Sequence, residues 1–194
     1  MGARHESLVM AFEFQERASL AGLVLAAAPQ LIDPNFHETV VYIAEHGARG
    51  ALGLVMNRPL DKKLSEVTTS TDLPDPLRDI AVFQGGPVKP MGLVFARFQR
   101  GKNDEDLRCE LVTDPAELAG TSKRSDHIRV FAGYAGWGEG QLERELQDRA
   151  WKVCQPHIAL LEEPVPPALW SAFVGEDQRW RKLQSLLPKN TGQN

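Results

Sequence analysis

Hydrophobic positions in this chain fall mostly in short runs of strand length broken by glycine, proline and aspartate; few stretches keep the spacing of an amphipathic helix. Leu23 to Ala27 reads as a first strand, Asp33-Pro34-Asn35 as a turn, and Thr39-Val40-Val41-Tyr42-Ile43 as a second strand, on its β-branched content. Gly47 and Gly50 punctuate a loop before Ala51 to Met56, an apolar run ending at Asn57-Arg58-Pro59, where proline is expected to stop the ladder. Ile80 to Phe83 leads into Gln84-Gly85-Gly86-Pro87. Leu93 to Phe98 and Leu107 to Val112 are strands on either side of a surface turn at Gly101 to Asp106, and Ile128 to Phe131 and Trp151 to Cys154 complete the set.

Helical signals are fewer. Asp61 to Leu77 is polar and holds Pro74 and Pro76, leaving room for a short helix near Leu64 to Val67. Asp114-Pro115 starts a short helix with aspartate as cap and proline at its first position. Gln141 to Ala150 places Leu142, Leu146 and Ala150 on one face, with Glu145 and Arg149 spaced to pair across a turn. Pro166 to Val174 and Asp177 to Leu187 read as two closing helices. Many strands with few long helices predict an α+β or mixed sheet, not a doubly wound parallel one. The expected organisation is an N-terminal extension over 1–19, one domain over 20–187 and a frayed tail over 188–194.

Composition supports a self-sufficient globular domain: 42% of the 194 residues are hydrophobic and 25% charged. A net charge of -4 disfavours direct nucleic-acid binding, because the basic clusters at Arg97, Arg100 and Lys102, at Lys123 and Arg124, and at Arg179, Arg181 and Lys182 are short. Cys109 and Cys154 form no C-x-x-C motif and read as reduced, buried thiols, although spacing alone leaves a disulfide open. Leu20 to Ala28 superficially resembles a signal-peptide core, but Glu13 and Glu16 spoil the positive flank and the run is far shorter than the ~20 residues of a membrane span. A buried strand in a cytoplasmic protein is the expectation.

Four loop motifs sit at strand ends: Asp33-Pro34-Asn35-Phe36, Asn57-Arg58-Pro59, Gln84-Gly85-Gly86-Pro87-Val88 and Gly133-Tyr134-Ala135-Gly136-Trp137-Gly138-Glu139-Gly140. The last, between a strand and a helix, would expose backbone amides to an anion. It lacks both the dinucleotide fingerprint and the phosphate-loop lysine, and Glu139 stands where a phosphate would sit. No serine has nucleophile-elbow context, Ser122 and Ser125 lying in a polar loop, and His37, His46, His127 and His157 show no metal-ligand spacing. Glu45-His46 and Asp33 would make an acid/base pair if the fold brought them together.

In this order and spacing the motifs resemble the YqgE/AlgH family of bacterial proteins, from about Leu20 to about Trp170. The carrying blocks are Pro29 to Val41, Glu45 to Pro59, Gly85 to Val88 and Gly133 to Trp151. The resemblance implies a bifurcated β-sheet wrapped into a pseudo-barrel with helices packed outside. It brings little function with it beyond a transcriptional-regulator label without a DNA-binding element, and the motifs above lead to the expectation of no cofactor and no metal. Relatives commonly carry arginine at the position of Glu38 and histidine at that of Ala96, and this chain departs at both.

The remaining candidates for a shared pocket are Asp33, Asn35, Asn57, Arg58, Gly85, Gly86, Tyr134 and Trp137, with turn chemistry and barrel-end packing as the competing reading. The leading functional expectation is a non-enzymatic binding or regulatory domain. In it, Arg58 and Trp137 offer a cation and an aromatic face to a protein or small-molecule partner. The alternatives are an enzyme or nucleotide-binding protein using the turn at 133–140 and, third, a transcriptional regulator.

Overall fold

The computed structural model describes residues 19–68, 73–121, 126–162, 164–165 and 168–175, with only the backbone of 119–121. The expected helix at Asp177 to Leu187, the tail, the extension up to residue 18, Ser122, Ser125 and the basic residues at 123–124 and 179–182 lie outside these residues.

The described residues hold nine strands: β1 Val24–Ala27, β2 Val40–Gly47, β3 Gly50–Val55, β4 Pro59–Lys63, β5 Ala81–Gln84, β6 Val88–Arg100, β7 Leu107–Val112, β8 Asp126–Trp137 and β9 Trp151–Cys154. Four short helices accompany them: α1 Leu64–Val67, α2 Pro115–Thr121, α3 Gln141–Gln147 and α4 Leu169–Val174. This is the strand-rich α+β domain expected, a single sheet curled into a half-barrel.

The curl follows from a branch at β8. Along Val130 to Ala132, β8 pairs in parallel with Val82 to Gln84 of β5, while its other edge pairs antiparallel with β6 from Leu93 to Gln99. Past Gly133 its partner changes, and Ala135 to Trp137 pair antiparallel with Gly53 to Ala51 of β3. One wing therefore runs β3-β2-β1-β9 and the other carries β5-β4, with β6 and β7 across β8.

Strand alternation then divides the apolar residues into three cores. Val24 and Ala26, Val40 and Tyr42, and Leu54 and Met56 face a central core, which the other wing completes with Phe83, Ala96, Phe98 and Phe131. Their sequence neighbours Leu25, Val41 and Val55 face the opposite side, with Trp137, Trp151 and Leu142 of α3. Leu64 of α1 and Leu118 of α2 cover a third core on Val82 and Val130. Leu169 and Phe173 of α4 pack on the central core. Tyr42 spans it, edge-on to Phe98 with ring centroids 5.4 Å apart and donating its hydroxyl to Leu107 O at 2.9 Å. Burial raises the pKa of this phenol and keeps it neutral.

Several boundaries differ from expectation. Pro59 begins β4 instead of ending the ladder; β4 is an exposed edge, where a residue without an amide proton is tolerated. Helix α3 stops at Gln147 because Arg149 adopts a left-handed conformation (φ 57°), with Ala150 N donating to Glu145 O, so Arg149 does not form the expected pair with Glu145. Both cysteines are free. No described helix is long and apolar enough to cross a membrane.

Gly133 has φ 71°, and a Cβ there would fall 2.6 Å from Gly86 O and 2.7 Å from Val88 O. Gly133→Ala is expected to lower unfolding stability by about 2 kcal/mol or more in urea titration, whereas Gly47→Ala, with nothing within 4 Å, stays near wild type.

His157 is buried and its Nδ1 accepts Ala159 N–H at 3.1 Å, and burial pushes its pKa below the ordinary value. The folded state thus resists a proton that the unfolded chain accepts near pH ~6.5. Stability should be complete above that value and fall as pH drops toward the lower folded-state pKa. His157→Asn, which can still cap, should flatten that part of the stability–pH curve.

Candidate functional site

The Asp33–Glu38 loop and the Asn57-Arg58 pair form one clamp. Asp33 Oδ1 accepts from Asn35 N at 2.8 Å, the expected Asx-turn, which leaves Asn35 an exposed turn residue. The Asn57 side chain accepts from Val40 N at 2.9 Å and donates to Glu38 O at 2.8 Å, holding Glu38 at φ 54°. Arg58 spreads its guanidinium over three carbonyls, donating to Asn35 O at 2.8 Å, His37 O at 3.0 Å and Pro34 O at 3.3 Å. Partial burial lowers the Arg58 pKa, with Asp33 opposing. Both of its terminal amino groups are spent within the fold.

Gly85 and Gly86 build the branch. Gly85 N donates to Ala132 O at 2.9 Å and Gly85 O accepts from Val55 N at 3.0 Å, joining β8 to β3 where β5 ends. A Cβ on Gly85 would lie 2.2 Å from Gly133 O, and one on Gly86 2.3 Å from the carbonyl carbon of Tyr134. Only glycine permits this approach.

Trp137 is 6% exposed, stacked on Phe36 at 6.3 Å and edge-on to Trp151 at 6.0 Å. Its indole N–H and that of Trp151 both donate to Glu145 Oε2, at 2.9 and 2.7 Å, and Gln141 holds Glu145 Oε1 at 2.9 Å. The loop, the clamp and Trp137 thus meet through Phe36, as packing.

Beside this frame, the open end of the curled sheet forms a groove of about 600 Å³. The β2–β3 hairpin supplies Glu45 through Leu52, and Val88, Tyr134, Gly136 and Trp137 complete the wall. Of the eight sequence candidates, only Tyr134 and Trp137 line it. Leu52 and Tyr134 are half-buried continuations of the central core, so the floor is apolar.

His46 forms part of the wall, but Asp33 is not its partner. Its Nε2 meets Glu143 Oε1 of α3 at 2.9 Å, while Nδ1 accepts Leu20 N–H at 3.1 Å. Both ring nitrogens are engaged, with the proton on Nε2, so this imidazole ties the residues before β1, the hairpin and α3 together and has no lone pair for proton transfer. Burial pushes the Cys109 thiol up to about 12 and the Cys154 thiol to about 11, which keeps both protonated near neutrality. The expected glycine-rich turn at 133–140 is strand β8 as far as Trp137, so only Gly138 to Gly140 form the turn, where Gly138 N donates to Gln141 Oε1 at 3.0 Å; Gly133 and Gly136 belong to the branch and the groove.

Sequence reasoning missed Arg129, which is 1% exposed in β8, 4.3 Å above the Phe83 ring, and donates to Met56 O and Glu162 O. An arginine inside an apolar strand run was its only signal. Sequence reasoning weighed Glu45 only as an acid/base partner of His46 and did not single out Arg49 among the groove residues, since nothing in a hairpin's own sequence says which face of a curled sheet it borders.

A forked, curled sheet with helices on its faces, glycines at the branch and a groove at its open end defines the class of α+β domain. The family model described as AlgH-like matches residues 24–179, and the chain belongs to that family. A UPF0301 protein of Magnetococcus marinus is 36% identical over 166 residues, covering 81% of this chain and 88% of its own. One of Streptomyces coelicolor is 38% identical, covering 80% and 85%. The solution structure of the AlgH protein from Pseudomonas aeruginosa superposes with TM-score 0.65 at 33% identity, covering 92% of this chain and 98% of that one. Protein DIP2367 from Corynebacterium diphtheriae, at 22% identity and TM-score 0.59 (83% and 93% covered), shares the fold.

Arg58→Ala should cost about 1.5–3 kcal/mol of stability by freeing the carbonyls at 34–37. Ligand binding to the groove, measured on the folded fraction, should be unchanged; loss of binding at full stability would make Arg58 a ligand residue.

Proposed function

We propose that this protein is a binding domain that takes its ligand or partner in the groove at the open end of the sheet, without catalysing a reaction. The observation that carries the reading is the division of labour among polar groups. Asn57, Arg58, Glu145 and His46 are committed to the fold, whereas Glu45, Arg49 and Tyr134 line the groove with no side-chain hydrogen bond or ion pair among the described residues. An apolar floor with a few polar groups at the mouth of a barrel-like sheet is the usual form of a recognition site, and about 600 Å³ falls within the common range. We place the protein in the cytosol, on the unpaired state of its two half-buried thiols. A regulatory role would run through a protein or small molecule held in the groove, since a net charge of -4 disfavours a phosphate backbone.

The test is a thermal-shift screen against metabolites, nucleotides and peptides, with Tyr134→Ala alongside wild type. A ligand at ~100 times its Kd should stabilise by about 2.7 kcal/mol, and the shift should vanish in Tyr134→Ala. Hits that persist in the variant and map by amide NMR away from Leu52 and Gly136 would overturn the placement. Turnover of a hit would overturn the non-catalytic reading.

A further inference from the structure

The groove's rim carries one carboxylate and one guanidinium on the same hairpin. Glu45 stands opposite Leu52 across the β2–β3 ladder, and Arg49 occupies the turn between Gly47 and Gly50. Both side chains are exposed, and neither makes a hydrogen bond or ion pair, with the other or elsewhere, among the described residues. Below them the Tyr134 ring leans over Gly136: a Cβ at 136 would meet Tyr134 Cε2 at 3.3 Å and Val88 Cγ2 at 3.4 Å. The missing side chain leaves the aromatic ring and its neighbours Leu52 and Val88 as the floor.

Two opposite charges over an apolar surface select by elimination. An anion meets Glu45, a cation meets Arg49, and a neutral apolar molecule leaves both unused. A ligand carrying both signs close together satisfies the pair and lays its apolar part on the floor. We propose that the groove binds a zwitterion with an apolar side chain, a free α-amino acid of the aromatic or large aliphatic class. Its carboxylate meets Arg49, its ammonium meets Glu45, and its side chain rests on Tyr134, Leu52 and Val88. A peptide terminus brings only one of the two charges and binds more weakly. This rests on the groove being the binding site and names what it holds.

The test is an amide NMR titration of the full chain with L-phenylalanine, its N-acetyl derivative (anion only) and its carboxamide (cation only). Wild type is compared with Arg49→Gln and Glu45→Gln, both at exposed positions. L-phenylalanine should shift Leu52 and Gly136 saturably and bind about fivefold more tightly than either derivative. Arg49→Gln should weaken L-phenylalanine and leave the carboxamide unchanged, and Glu45→Gln should weaken L-phenylalanine and leave the N-acetyl derivative unchanged. Equal binding of all three compounds, or indifference to both substitutions, overturns the zwitterion assignment. So does the absence of groove shifts with phenylalanine, leucine and methionine. If other screen compounds shift the same amides, the groove stands and only the ligand class falls; if no compound shifts them, both fall.

Discussion

The close approach of three glycines at the branch of β8 is the constraint on which the architecture depends. A strand can hydrogen-bond only two neighbours at any one point, so β8 must exchange β5 for β3 within a residue or two. There Gly85 serves both sides, taking Ala132 O with its N–H and offering its own carbonyl to Val55. Gly86 and Gly133 bring backbone within contact distance where a Cβ would overlap carbonyl oxygens. The angle this sets between the wings encloses the central core between them, leaves an outer core on each wing, and opens the end where the groove lies.

Aromatic and charged groups then fix how the pieces pack. Tyr42 of one wing reaches Leu107 O of the other, and its ring packs on Phe98. On the outer face two indoles share the carboxylate of Glu145, which satisfies two buried N–H donors with one oxygen and sets α3 against β8 and β9. That bond explains why Glu145 is not free for the helical partner its spacing suggested. A carboxylate that compensates two buried donors is worth more to the fold than an exposed i, i+4 pair.

Much of this was legible in the sequence. The strand runs, the α+β class and the short helices at Leu64 to Val67 and after Asp114 are local properties, written in alternation, β-branching and caps. The bifurcated pseudo-barrel came from the motif resemblance, and the branch glycines stand in its most specific blocks. Long-range pairing was not legible: that His46 meets Glu143, or that β9 crosses to lie beside β1, depends on how the sheet curls. The strand at Pro59 was missed because its position on an edge is a tertiary fact. Tyr134 and Trp137, expected in a strand-end loop, stand within β8 and line the groove from there; Glu45 was weighed only as an acid/base partner of His46, and Arg49 was not singled out.

The same accounting supports the proposed placement of the binding surface. Motif residues draw attention because their chemistry is unusual for a loop, yet in this fold most of that chemistry is consumed internally. Asp33 closes a turn, Asn57 bridges two backbone groups, and Arg58 covers three carbonyls. A donor already bonded must break that bond before it serves a ligand, so a satisfied arginine is a weaker recognition element than a free one. By that measure the hairpin charges rank above the motif residues, and the apolar floor beneath them supplies the burial that two solvent-exposed ion pairs alone would not. The strand-end motifs build the opening, and Glu45 and Arg49, which lie outside those four motifs, stand at its edge.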